Sequence, residues 1–234
     1  MYFNIRPSKC FLYGFLDRKL STVASGAGLD AASASFKNRP MFRTERYYGL
    51  DLNPNLLTAG LAKFPDQNTF GIHCDLSRLE RLPSGSASAI ASTNTLYCLS
   101  PEDLVLAISH LCRLTAPDGL LICEMPRADL ADNLRIFKTN FRKVEITYFK
   151  NIFSRAYERI FERNGFLGSH PIAGTRPFRL LAWLISRLEF LTCKIPWLNK
   201  HILIVCTDKI DRASNPFGLT GIPQPTERLY DLMA

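Results

Sequence analysis

The segment that most constrains the fold reads Tyr-Tyr-Gly-Leu-Asp-Leu-Asn-Pro-Asn-Leu-Leu over residues 47–57. Its aromatic and aliphatic start predicts a short buried strand over residues 47–52. Asn53 can cap a helix and Pro54 can begin it, because a first helical residue does not need its N–H. Asp51 therefore lies where a strand ends and a helix starts. In open α/β sheets that edge binds ligands, and an acid there commonly bonds a ribose. The alternative is an aspartate that only ends the strand.

Strand and helix patterns alternate along the chain as far as residue 126, which predicts an α/β fold. Two later strand patterns lie close together and predict an antiparallel pair at one edge of the sheet. We therefore expect a Rossmann-like, doubly wound, mostly parallel sheet of seven strands with an antiparallel edge strand. The expected strands are residues 29–30, 47–52, 69–74, 89–93, 120–124, 143–149 and 201–207.

One domain is predicted over residues 1–210, with a helical insert at 151–200 before the last strand. The tail at 211–234 contains several prolines and glycines and is expected to be coil.

The charge is uneven along the chain. The formal net charge is +8, and residues 135–200 hold 13 Lys or Arg against four Asp or Glu. A basic segment suits a polyanionic surface or an acidic substrate, whereas solvated basic faces are the simpler alternative. The aromatic-basic interleaving of an RNA-binding module is not seen, so nucleic acid is not an expected partner.

Seven cysteines are scattered without CxxC pairs or metal-ligand spacing. This pattern predicts reduced thiols, a cytoplasmic protein and no metal site. Charged residues at 17–19 interrupt the only candidate for a signal peptide, and no apolar run reaches the length of a membrane span.

The insert contains an amphipathic helix pattern, and we expect this helix over residues 177–191. Six of its apolar residues share one stripe of a helical wheel, and Trp183 and Phe190 fall outside it beside Arg179 and Arg187. Aromatic residues next to arginines suit a peripheral membrane contact or a lid over an apolar substrate; the alternative is a core helix. The stripe consists of Leu180, Leu181, Leu184, Ile185, Leu188 and Leu191.

Five segments, in this order, resemble the motifs of class I S-adenosylmethionine-dependent methyltransferases. The resemblance covers roughly residues 25–126 and is to the type 11-like variant, in which Arg-Pro follows the first loop. Alanines stand at 32 and 34, where that loop normally carries glycines. The segments are Leu29–Phe42, Tyr48–Leu52, Cys74–Leu76, Leu82–Leu99 and Leu114–Ile122.

The resemblance implies S-adenosyl-L-methionine as cofactor. It implies that Asp51 holds the ribose hydroxyls, that Asp75 takes the adenine amino group, and that the N–H of Leu76 takes a ring nitrogen. No catalytic base is assigned, although Tyr97, His170 and Trp183 are candidates for substrate contact. The full set of expected cofactor residues is Asp30, Ala32, Ala34, Asp51, Leu52, Asp75, Leu76 and Asn94.

Two functions remain open from the sequence. The first is methyl transfer to a small-molecule or lipid-linked acceptor. The second is a catalytically degenerate module of the same fold that binds a partner or a membrane surface, which the alanines at 32 and 34 favour.

Overall fold

The computed structural model describes residues 4–162, 170–211 and 228–233. Within them eight strands form one sheet in the order β6-β7-β5-β4-β1-β2-β3-β8. The strands are β1 (Ala27–Ala31), β2 (Arg46–Asp51), β3 (Thr69–His73), β4 (Ala87–Ser92), β5 (Thr115–Pro126), β6 (Phe141–Asn151), β7 (Asn199–Lys209) and β8 (Leu229–Asp231). The α-helices are α1 (Pro7–Leu20), α2 (Pro54–Lys63), α3 (Pro101–Leu114), α4 (Leu130–Asn140), α5 (Ile152–Phe161) and α6 (Arg176–Thr192).

The predicted α/β class and mostly parallel sheet are confirmed. Strands β5, β4, β1, β2 and β3 pair in parallel, in that order. β7 runs antiparallel to β5. Lys209, at the end of β7, donates its Nζ hydrogens to the carbonyls of Arg113 and Thr115, which lie where β5 begins. The antiparallel strand lies second from the edge, with β6 outside it.

One part of the predicted architecture is wrong. The tail was expected to be coil throughout, but residues 229–231 form β8 and add an eighth strand beside β3. Gly71 pairs with Leu229, and the N–H of Gly71 donates to the carbonyl of Arg228 at 2.9 Å. A three-residue strand has no readable pattern of its own, since the pairing with β3 creates it. The rest of the predicted tail, residues 212–227 and 234, lies outside the described residues.

The described chain divides into two compact units, where the sequence predicted a single domain. We call residues 19–125, 129–145, 204–211 and 228–233 the sheet unit. Residues 4–18, 126–128, 146–162 and 170–203 form the helical unit, which combines the N-terminal helix with the described part of the predicted insert.

The core of the sheet unit closes around Phe36, which is fully buried. Its ring contacts Tyr47 edge to face, with the centroids 5.3 Å apart. Two glycines make room for it: a Cβ on Gly49 of β2 would lie 2.2 Å from the ring, and one on Gly60 of α2 would lie 2.6 Å from it. The ring thus needs bare backbone on two neighbouring elements.

The helical unit has a small core around Tyr157 of α5 and Ala182 of α6. The buried face of α6 is small and polar: Ala182, Ser186, Glu189 and Thr192 are its buried residues. Both carboxylate oxygens of Glu189 accept the N–H of Asn151 at 3.1 Å. Within the described ranges, no helix has the length and apolar run that crossing a bilayer requires.

We predict that Gly60→Ala lowers the free energy of unfolding by about 1–3 kcal/mol, because its methyl would overlap the Phe36 ring. Helix propensity alone predicts the opposite, a gain of about 1 kcal/mol. Gly14→Ala is the matched control, since nothing lies within 4 Å of a Cβ at that position of α1. Urea unfolding measures whether the free energy of unfolding falls in Gly60→Ala and rises in Gly14→Ala. A stabilised Gly60→Ala protein would contradict the packing described for Phe36.

Candidate active site

The carboxyl ends of four parallel strands meet at one edge of the sheet unit. Ala31 pairs with Leu50 on one side and with Ser92 on the other, and Asp51 pairs with His73. The segments that follow β4, β1, β2 and β3 therefore lie side by side. Most of the predicted cofactor residues belong to these segments, so the register brings them to a common edge.

The loop after β1 has the backbone of a glycine-rich loop without containing a glycine. Ala32, Ala34 and Phe36 have φ values of +58°, +49° and +57°. Every second residue is thus left-handed, a conformation that costs an L-residue roughly 1–2 kcal/mol. The resemblance noted in the sequence singled out the positions of Ala32 and Ala34, but it did not indicate that Phe36 is left-handed as well. The left-handed backbone is kept although the side chains resist it.

Strand β2 holds this loop in place. The N–H of Ser33 donates to the carbonyl of Leu50 at 2.9 Å. The N–H of Ala34 donates to Oδ2 of Asp51 at 2.8 Å. The buried Phe36 ring anchors the far end of the loop.

Asp51 is partly exposed at the end of β2. Its Oδ1 accepts the N–H of Asn53 at 2.9 Å, while Oδ2 accepts that of Ala34. Each carboxylate oxygen has two lone pairs, so each retains one that can accept from a hydroxyl group. The two backbone donors thus orient the carboxylate without saturating it, as a ribose-binding acid requires.

Asp75 follows β3 and is partly exposed. Its Oδ1 accepts both the N–H and the hydroxyl of Ser77, at 2.9 and 2.8 Å. Both bonds fall on one oxygen, so Oδ2 is the oxygen suited to receive an amino group from a ligand. The N–H of Cys74 donates to the carbonyl of Asp51 at 3.1 Å, which ties together the segments that carry the two acids.

Asp30, one of the predicted cofactor residues, is fully buried. Its Oδ1 accepts from the amide of Asn38 at 2.9 Å, and Oδ2 accepts from the hydroxyl of Tyr47 at 2.7 Å. The same amide lies 3.3 Å from the hydroxyl of Thr93, which follows β4. Burial raises the pKa of Asp30 to about 6, against the lowering effect of these hydrogen bonds. Asp30 supports the loop from inside.

Glu124 is a site residue that the sequence reasoning did not name. It is buried at the end of β5, and its carboxylate accepts the N–H of Asn94. Asn94, a predicted cofactor residue, is left-handed with φ +59°, a conformation that asparagine tolerates well. The available signal was an acid at the carboxyl end of an apolar strand, the same signal that identified Asp51 and Asp75.

The three predicted substrate residues do not belong to one unit. Tyr97 lies in the segment after β4 and is 49% exposed; burial, then Cys98 and Glu124, raise the pKa of its phenol. His170 and Trp183 belong to the helical unit, so their substrate role stays a prediction. Leu52 is exposed beside Asp51 and Leu76 is buried after Asp75. The carbonyl of Leu52 lies 3.2 Å from Nε2 of His73.

The residues at this edge suit an adenosine group better than a metal ion. Two oriented carboxylates follow neighbouring strands, and a bare loop backbone follows the third. Among the residues of the described ranges, no group of three or more His, Cys, Asp or Glu side chains is placed to hold a metal.

Comparison with known proteins agrees with this geometry. Residues 22–123 match the family model described as a methyltransferase domain. That range contains the loop, Asp51, Asp75 and Asn94, and it confirms the resemblance to the class I family. No curated protein matches the chain in sequence.

Solved structures share the fold at low sequence identity. A Haemonchus contortus phosphoethanolamine N-methyltransferase 2, in complex with phosphomonomethylethanolamine and S-adenosylhomocysteine, is 14% identical, with a TM-score of 0.55. The alignment covers 84% of this chain and 52% of that one, so the chain spans about half the length of that relative. The N-methyltransferase NodS from Bradyrhizobium japonicum, in complex with S-adenosylhomocysteine, is 14% identical, with coverages of 87% and 88% and a TM-score of 0.56.

A third structural neighbour shows that the fold alone does not determine the reaction. The [4+2]-cyclase SpnF is 13% identical, with coverages of 86% and 81% and a TM-score of 0.58. Its name refers to a cyclisation rather than to a methyl transfer. The function of the present chain therefore has to be argued from its site.

We predict that the double variant Ala32→Gly, Ala34→Gly has a free energy of unfolding about 1 kcal/mol higher than that of the native chain. Removing both methyls relieves the left-handed strain, which exceeds the entropy that glycine adds to the unfolded state. Ala31→Gly is the control, because Ala31 lies in β1 and its fully buried methyl would be lost. That change lowers stability by about 1 kcal/mol. Equal losses in both proteins, measured by urea unfolding, would contradict the strained loop.

We predict that Asp30 makes stability fall as the pH rises. Its folded pKa of about 6 lies above the ordinary 3.8, so the folded state holds the proton more tightly than the unfolded state does. Below about pH 4 the protonated Asp30 contributes about 3 kcal/mol to the free energy of unfolding. This contribution is lost as the pH rises through the folded pKa of about 6. Asp30→Asn removes this loss, whereas Asp118→Asn, at an exposed position, leaves it unchanged. Unfolding free energies at pH 4.5 and 7 measure the difference; parallel curves for the native and Asp30→Asn proteins would contradict it.

Proposed function

We propose that this chain, whose residues 22–123 match a methyltransferase domain, binds S-adenosyl-L-methionine and transfers its methyl group to a small-molecule or lipid-linked acceptor. The observation that carries the proposal is the pair Asp51 and Asp75. Both are partly exposed after adjacent strands, and both are oriented by backbone donors that leave lone pairs open.

In this proposal the two acids divide the recognition of adenosine. Asp51 accepts from the ribose hydroxyls, and Asp75 accepts from the adenine amino group through Oδ2. The backbone N–H of Leu76 donates to the adenine ring. The loop 32–36 presents a surface of small side chains, so the methionine part can approach its backbone closely.

The cofactor, when bound, supplies an activated methyl group on a sulfonium. The protein has to hold the acceptor atom in line with that methyl, which is chiefly a matter of positioning. Tyr97 is the described residue of the sheet unit that we propose for acceptor contact. Its phenol, whose pKa burial raises further above the ordinary 10.0, is protonated at neutral pH and can donate a hydrogen bond. We propose no general base.

The second candidate is a degenerate module that keeps the fold and has lost the reaction. The observation that favours it is the pair of methyl groups at Ala32 and Ala34 on a left-handed loop. Loss of cofactor binding with an intact fold distinguishes this candidate from the enzyme. Restored binding in the Ala32→Gly, Ala34→Gly protein would assign the loss to those two methyls.

We predict that S-adenosylhomocysteine binds the native chain with measurable heat and that Asp51→Asn and Asp75→Asn each weaken binding about tenfold or more. Replacing a charged acceptor costs roughly 1.5–3 kcal/mol per hydrogen bond. Isothermal titration calorimetry measures the affinities. Asp118→Asn is the matched control, because it makes the same chemical change near the amino end of β5, away from the ligand edge.

The outcomes separate the two candidates. Binding that Asp118→Asn preserves and the other two variants weaken supports the proposed site. No heat at millimolar ligand from a folded native protein counts against the enzyme and favours the degenerate module. Equal affinity in all three variants would mean that the ligand occupies some other site.

A further inference from the structure

Helix α6 of the helical unit buries a small, polar face, although Phe178 and Ile185 also pack against the core of that unit. Ala182, Ser186 and Glu189, spaced at helical intervals, are buried. The opposite face exposes leucines: Leu184 is 53% exposed and Leu191 is 76% exposed. Ordinary surface helices bury the apolar stripe and expose the polar one. Two further leucines of the exposed stripe are Leu180 and Leu181.

A tryptophan that follows the helix in the chain is also exposed. Trp197, in the short turn before β7, is 74% exposed. Exposed tryptophan and leucine side chains are costly in water but favourable at the interface of a lipid bilayer. No described helix can cross a membrane, so the arrangement suits lying on the surface.

In the described part of the insert, the acidic residues are buried or paired and the exposed basic residues face solvent. All three acidic residues in its described part are engaged: Glu189 is buried, Glu158 is buried against the hydroxyl of Ser8, and Glu162 is paired with Arg6. From residue 176 to residue 200 the exposed charged residues are all basic. They are Arg176, Arg179, Arg187, Lys194 and Lys200.

We propose that this face, comprising Leu180, Leu181, Leu184, Leu191 and Trp197 with the basic residues around it, docks onto an anionic lipid bilayer. Leucine and tryptophan side chains insert into the interface, while arginines and lysines contact the lipid phosphates. The charge pattern selects this partner over an uncharged apolar one. Arg187 lies 4.6 Å from the ring of Trp183, so that aromatic residue packs along the helix and the leucines provide the contact. The docking does not depend on the proposed methyl transfer.

The test uses the full chain and vesicles of phosphatidylcholine with or without about one-third phosphatidylserine. We expect the native protein to pellet with the anionic vesicles and to shift its fluorescence to the blue, because its two tryptophans, Trp183 and Trp197, both lie in this segment. The triple variant Leu181→Ser, Leu184→Ser, Leu191→Ser should partition roughly ten- to a hundredfold less. Val105→Ser, Leu106→Ser on α3 is the matched control, since it removes exposed apolar residues of another helix.

A charge variant keeps the test decisive if the triple variant folds poorly. Arg176→Gln, Arg179→Gln should lose the preference for phosphatidylserine while its thermal unfolding stays native. Native protein that stays in the supernatant with both vesicles would overturn the proposal, as would equal pelleting of the native and variant proteins. A stable dimer in sedimentation equilibrium that the leucine variant abolishes, without vesicle binding, would assign the face to a second copy of the chain instead.

Discussion

The ring of Phe36 is the contact on which the ligand edge depends. It is fully buried against bare backbone at Gly49 and Gly60, and it anchors a loop with left-handed residues at alternate positions. Burying a phenylalanine contributes about 1.5–3 kcal/mol, comparable with the strain of one or two left-handed alanines. The glycines that such a loop usually contains are absent from it, and two glycines lie underneath it instead. Packing from below therefore fixes the shape that glycine freedom would otherwise permit.

The same loop sets the electrostatics of the edge. The N–H of Ala34 bonds Asp51, so a change in loop shape would turn the acid that we assign to ribose. Beneath the loop, Asp30 is held by Asn38 and Tyr47 and takes no part in the exposed surface. The inner carboxylate supports the loop, and the outer carboxylates are open to a ligand. Asp30, Asp51 and Asp75 all lie near strand ends in the sequence, but their different burial assigns them different roles.

Much of the fold was predictable because strand and helix patterns are local. α2 begins at the predicted Pro54, and the first five strands overlap their expected ranges, although β5 begins earlier than expected, at Thr115. The role of Phe36 was not predictable, because it appears only when β2 and α2 lie on either side of the ring. Glu124 was overlooked because its partner, the N–H of Asn94, is brought to it by the pairing of β4 with β5. For α6 the leucine stripe was readable, but which face is buried depends on partners such as Asn151.

The orientation of α6 is not explained by the stability of the helical unit. Burial raises the pKa of Glu189 to about 7, so the ionised form disfavours folding. Since the folded pKa lies above the ordinary 4.5, this loss grows from about pH 4.5 to 7 and is complete above it. Hydration of this acid and burial of the exposed leucines would each be favourable, and the observed packing provides neither. A helix that forgoes both gains is expected where its apolar face has a use of its own, and the basic residues that flank the stripe indicate an anionic surface as that use.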